Sequence, residues 1–192
     1  MAVESLVGLG NLPAKLGPLA AEYAAYWLSL PKIDGVPMKR DLNPGVMRKF
    51  VAKFVIVERL DRRRFTWRLV GSAIRELAGI ELTGSDALEQ RDDVQREKGV
   101  VAYNAQLDTP CGSWGVVVLR SAMGSLVPTE VMVLPLRADD GSLRFLANTV
   151  DPSLRAMGPG NVPTTEMKLL SWPEHRFVDI GFGLPKFERK PR

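Results

Sequence analysis

The stretch Lys53-Phe54-Val55-Ile56-Val57-Glu58-Arg59-Leu60-Asp61-Arg62-Arg63-Arg64-Phe65-Thr66-Trp67-Arg68-Leu69-Val70 decides the fold. Lys53–Leu60 is rich in Val, Ile and Phe, and Phe65–Val70 alternates bulky apolar residues with others. Both patterns read as strands. The Asp61–Arg64 segment between them lacks an Asn-Gly or Asp-Gly pair, so the spacing predicts a hairpin with a longer loop.

Upstream, Leu19, Tyr23, Tyr26, Trp27 and Leu30 fall at helical spacing, which predicts a helix over 18–30. Pro18 suits its first turn, and Pro31 ends it. Glu22 is its only charged residue, so this aromatic face needs a partner. Tyr23, Trp27 and Leu30 are candidate interface residues. The helix is expected to pack on the sheet and help form a homodimer; an intramolecular lid is the alternative. Asn43 and Pro44 read as N-cap and first residue of a short helix to about Phe50.

Downstream, Ser72 reads as the cap of a short helix that Gly79 stops, and Thr83–Asp86 opens another brief helical piece. A longer helix over 92–107 shows a partial stripe of Val94, Val101 and Leu107, weakened by Gly99 and ended before Pro110. Strands are predicted over 113–121, 129–136 and 142–150, with Asp139-Asp140-Gly141 as a tight turn. Pro128 and Pro135 are expected at strand ends or on an edge, since neither can donate a ladder hydrogen bond. The element order predicts an α+β domain. Its five-stranded antiparallel sheet has helices on one face and the aromatic helix on the other.

Residues 1–17 hold Gly and Pro without a sustained period and read as a flexible arm. Residues 18–150 form the domain. Residues 151–192 carry six of the 14 prolines and read as a Pro-rich extension over the surface, with 176–183 available as a docked strand. A 192-residue chain of this composition fits one domain with extensions. The apolar runs are too short to span a bilayer, and Glu4 stands where a signal peptide needs positive charge. A cytoplasmic protein without membrane insertion is expected.

The net charge of +4 is unevenly spread. Residues 39–68 carry ten Lys/Arg against three acids, a local net of +7, whereas 69–150 carry seven against eleven, a net of −4. The basic segment supports a second reading as a nucleic-acid-associated factor. No recognition motif accompanies it, and a solvated hairpin explains it more simply.

Reactive groups are few. Cys111 and His175 are the only residues of their kinds. Nothing in their spacing recommends a nucleophilic dyad, and they are too few for a structural zinc site. An axial haem ligand or flavin-reactive thiol would have to come from these two residues alone, so neither is expected. No cofactor and no catalytic activity are expected. Gly8-Leu9-Gly10 lacks the strand and third glycine of a dinucleotide fingerprint. Asp92-Asp93 reads as a helix start.

Several pieces recur together in one known family. They are Tyr26-Trp27 closing the aromatic helix, Pro37-Met38-Lys39-Arg40-Asp41-Leu42-Asn43-Pro44, Arg68-Leu69-Val70-Gly71-Ser72, Leu82-Thr83-Gly84, Leu134-Pro135-Leu136 and Asp140-Gly141. In order and spacing the chain resembles Per-ARNT-Sim (PAS) domains. More narrowly, it is similar to small alphaproteobacterial-type proteins that often consist of this domain alone. It departs from their pattern in Lys39 for arginine, Asn43 for aspartate and Ser72 as the small residue. Lysine cannot reproduce an arginine fork. The resemblance covers about residues 20–150. It implies a sensory or protein-interaction domain, usually in signalling, and implies neither a known ligand nor a catalytic activity. The leading expectation is a regulatory protein that binds a signalling partner, with gating by a small ligand as an added option.

Arg68 is the most informative candidate. Mid-strand in a sheet covered on both faces, a guanidinium needs a partner. That partner is Asp41 first, Glu58 second, or an anionic or carbonyl-bearing ligand. In the last case Arg68 would line a pocket between sheet and helices, walled by Tyr103 and Trp114.

Overall fold

The structure is a computed structural model that describes residues 6–152 and 167–186. Pro18–Ser29 forms α1 and Pro44–Met47 a single turn, α2. Strands β1 (Phe54–Arg59) and β2 (Phe65–Val70) follow, then α3 (Ser72–Ala78), α4 (Asp93–Asp108), β3 (Cys111–Arg120), β4 (Leu126–Arg137), β5 (Leu143–Asp151) and β6 (Lys168–Asp179). The strands make one antiparallel sheet in the order β2-β1-β5-β4-β3-β6. The fold is α+β, and the sheet has six strands, not the five expected.

The added strand comes from the Pro-rich extension. β6 pairs along β3 from Cys111↔Asp179 to Arg120↔Lys168, starting eight residues earlier than the docked segment expected at 176. Trp172 and Pro173 hid it, because a strand interior rejects proline. The register shifts between the Val116 and Val118 pairings, so Trp172 and Pro173 fall in an irregular stretch where no ladder bond is lost.

Pro128 and Pro135 lie within β4, a central strand. The pairing with β5 begins only at Glu130, and the pairing with β3 reaches only to Ser113↔Val133. Each proline therefore occupies a stretch of β4 with a single neighbour, an edge in local terms.

The two sheet faces carry separate cores. Tyr23 and Trp27 of α1 pack with Phe54, Met132, Leu134 and Ala147. Tyr23 and Trp27 are 0% and 1% exposed. The Tyr23 hydroxyl donates to the Ala147 carbonyl at 2.9 Å, and Trp27 Nε1 donates to the Pro135 carbonyl at 3.0 Å. Burial pushes the Tyr23 phenol well above its ordinary pKa. Within the chain, the aromatic stripe of α1 is thus fully used by the sheet, and Leu30 is buried too.

The described part of the expected flexible arm is docked. Leu6, Leu9 and Leu16 enter the same core, and Gly10 exchanges backbone hydrogen bonds with Asp179 of β6 at 2.7 and 3.0 Å. Irregularly spaced leucines leave no periodic trace, which is why this segment reads as loose.

Local signals explain the turns. Asn43 caps α2 by accepting from the Gly45 amide, and Asp92 caps α4 by accepting from the Gln95 amide at 2.8 Å. α2 is shorter than expected; a 3-10 turn over Val51–Lys53 separates it from β1. The N-cap of α3 is Gly71, with Ser72 already helical, because the Gly71 backbone packs against the carbonyls of Val51 and Ala52 and leaves no room for a Cβ. Thr83–Asp86 forms turns, not a helix. Among the described residues no helix is long and apolar enough to cross a membrane.

Candidate functional site

α4 determines what lies on the other face of the sheet. Its buried residues are Gly99, Val100, Tyr103, Gln106 and Leu107. Of the expected stripe, Leu107 is buried, whereas Val94 and Val101 are 62% and 51% exposed. The inward face thus includes a glycine, a phenol and an amide, a composition that periodicity rules for apolar residues miss.

A cavity of about 600 Å³ opens between this face and the sheet. Val55, Val117, Val131 and Val133 line its floor, with Ile74 of α3 and Met167 beside them. Volume and apolar walls both fall in the range of small-molecule sites, where a few polar groups set orientation. The polar groups of the lining include Trp67, Gln90, Arg91, Gln106 and His175 of β6, with Glu97, Lys98, Ser113 and Asn148.

Arg91 is held by rings and not by an acid. Its guanidinium carbon lies 5.5 Å from the Tyr103 ring centroid and 5.6 Å from that of Trp172. Nη2 donates to the Tyr103 hydroxyl at 3.2 Å. Among the described residues Nη1 is buried without a hydrogen-bond partner, as are Trp67 Nε1, Gln90 Oε1 and Gln106 Oε1. Such atoms usually cost about 1–3 kcal/mol each, so four among the residues that line one cavity mark a place where stability yields to another requirement. Gln106 Nε2 donates to the Ala102 carbonyl at 3.2 Å, which leaves its Oε1 as the free acceptor.

Of the three candidate ligand residues, only Tyr103 lines this cavity. Trp114 lies on the opposite face, in the α1 core. Its Nε1 donates to Glu130 Oε1 at 2.7 Å, and the same oxygen accepts from the Gly17 amide at 2.9 Å. Alternation along β3 sends Val117 and Trp114 to opposite sides.

Arg68 also lies outside the cavity. β2 is an edge strand, and the Arg68 side chain is 46% exposed. It pairs with Glu58, the second of its expected partners, and not with Asp41. Glu58 accepts a hydrogen bond from Arg68, and Arg144 Nε stands 2.9 Å from its other oxygen as an ion pair. The premise of a guanidinium buried under both layers fails because the sheet ends at β2.

The basic segment is largely neutralised in place. Eight of its ten bases have a carboxylate partner: Arg40, Lys49, Lys53, Arg59, Arg62, Arg63, Arg64 and Arg68. Arg59 and Arg62 share Asp108 of α4, and Arg63 takes Glu97. The excess charge of 39–68 and the deficit of 69–150 thus meet where the hairpin loop packs beside α4. Lys39 lies over the Phe145 ring at 4.9 Å.

Cys111 is fully buried, and burial followed by the charge of Asp179 pushes its thiol up to about 12. That suppresses the thiolate on which nucleophilic or redox chemistry depends. In the β3–β6 ladder Cys111 faces Asp179 and His175 faces Gly115, so the two are four ladder steps apart. That is roughly 13 Å at a strand rise of about 3.3 Å, too far for a dyad. Desolvation lowers the His175 pKa from its ordinary 6.5.

With this architecture in view, comparison with known families is decisive. The family model described as PAS domain matches residues 18–148. The chain belongs to the PAS domain family. The match begins at α1 and ends within β5, so it includes Arg91 and the inward face of α4, while β6 of this PAS protein lies beyond it. No curated protein matches the chain.

Proposed function

We propose that this PAS protein is a non-catalytic, cytoplasmic sensory or regulatory module. It holds a small ligand in the cavity between α4 and the sheet and transmits occupancy to a signalling protein partner. One observation carries the reading: the residues lining an apolar cavity of about 600 Å³ bear four buried polar atoms that find no partner among the described residues. A closed core would exclude such atoms or pair them.

Transmission has a physical route. Trp172 and His175 belong both to the cavity and to β6, the outer strand on that side of the sheet. A ligand that reorders Arg91 against Trp172 changes the packing of β6. Apart from the Gly10 pairing at Asp179, the outer edge of this strand has no ladder partner among the described residues, and a partner or a second copy of the chain can add there. The burial of Tyr23 and Trp27 in the α1 core supports β6, and not α1, as the face for a homodimer or partner contact.

Native mass spectrometry of freshly purified full-length protein tests this reading. The expected spectrum shows an added mass of small-molecule size, released on mild activation. That mass should be lost when the cavity is filled by Ala102→Trp on the inner side of α4. Retention of the same molecule by the filled variant overturns the cavity as its site.

A further inference from the structure

The ligand chemistry can be taken further, resting on the cavity reading above. The charged residues that line the cavity are Arg91, Lys98 and Glu97. Neither cation has a carboxylate partner among the described residues, whereas Glu97 is already paired with Arg63 of the hairpin loop. Desolvation lowers the His175 pKa.

The position of Arg91 is built, not incidental. It lies two residues before α4, and its guanidinium occupies the space above Gly99. A Cβ there would stand 2.5 Å from Arg91 Nη1 and 2.8 Å from Leu88 Cδ2. Glycine in the middle of a 16-residue helix is costly, and here it makes room for one charged group. Tyr103 and Trp172 flank that group and exclude water without neutralising it. A guanidinium cannot shed its charge, and its fork matches a carboxylate. Away from Arg91 the wall is aliphatic: Val117, Leu119, Val131, Val150 and Met167.

We infer that the cavity takes an apolar carboxylate, its chain against the valine floor and its carboxylate at Arg91. Gln106 Oε1 on the facing helix is an acceptor that a hydroxyl or amide N–H on such a ligand would satisfy. Arg91 is the head-group residue, and Gly99 is a positioning residue for it.

Calorimetric titration of the full chain with decanoate and with decanamide tests the assignment, because the two share shape and chain but not charge. The uncharged amide is cheaper to desolvate, so nonspecific apolar binding favours decanamide. The expected result is decanoate binding at least tenfold tighter in the unmodified protein. Arg91→Met should then bring the two to within about twofold while decanamide affinity is retained. Equal affinity, or a preference for decanamide, overturns the carboxylate assignment and leaves the cavity reading standing. Failure of both ligands to bind overturns the cavity reading with it. Should Arg91→Met fail to fold, the comparison in unmodified protein still decides, and Gly99→Ala supplies the second variant.

Discussion

Gly99 and Arg91 fit together as space and occupant: a Cβ on Gly99 would meet Nη1 of Arg91 at 2.5 Å. In an open helix interior, replacing Gly by Ala stabilises by about 1 kcal/mol. Gly99→Ala is expected to miss that gain, because Arg91 must leave its place between Tyr103 and Trp172. Urea denaturation measures the stability, and Trp172 emission reports the displacement. A full gain of about 1 kcal/mol with unchanged emission would contradict the account.

Arg68→Met is expected to cost less than about 1 kcal/mol. The side chain is half-exposed, its pair with Glu58 is screened by water, and Arg144 continues to neutralise Glu58 when Arg68 is gone. The double variant Arg68→Met, Arg144→Met should cost more than the sum of the single variants, since only then is a nearly buried carboxylate left alone. Additive single effects would show that Glu58 does not depend on either arginine.

Trp27→Ala should destabilise by about 3–5 kcal/mol, the usual cost of deleting a large buried aromatic group. It also leaves the Pro135 carbonyl without its indole donor. Chemical denaturation gives the value. A change below about 1 kcal/mol, accompanied by loss of a dimer in sedimentation, would return Trp27 to an intermolecular role.

His175 supplies a pH dependence. Its folded pKa is lowered by desolvation, so the unfolded chain takes up the proton first as pH falls. Stability from this group is therefore fully present above 6.5 and declines from there toward the lowered folded pKa, with no further loss below it. Comparing denaturation midpoints at pH 7.5 and 5 should show a larger drop in the unmodified protein than in His175→Gln. Parallel curves would rule the effect out.

Much of the fold is legible in residue order. The β1–β2 hairpin, the caps at Asn43 and Asp92, the left-handed stop at Gly79 and the Asp140-Gly141 turn are local events with local signatures. Only the end of β6, from Arg176, is legible; its first eight residues are not, because Pro173 is tolerated only through a register shift set by β3. The cavity is less legible still. Tyr103 is found because an aromatic residue on a helix suggests a wall. Arg91 is missed because, beside Asp92, it reads as one more charge at a helix entrance. Gln106 is missed because an amide in a core-facing position breaks the apolar stripe. Its spacing of seven from Gly99 and three from Tyr103 is the signal that could have found it. Arg68 and Trp114 are overvalued for a related reason. Alternation says which residues share a face, but only the assembled sheet says which face holds the cavity and where the sheet ends.

The central claim is that ligand enters between α4 and the sheet, and backbone NMR during titration with decanoate tests it most directly. The account predicts amide shifts concentrated at Ala102, Tyr103, Val117, Val131 and Trp172, with Ala21, Tyr23 and Leu134 on the α1 face unmoved. Shifts centred on the α1 face, or a titration that moves no cavity-lining amide, would contradict it.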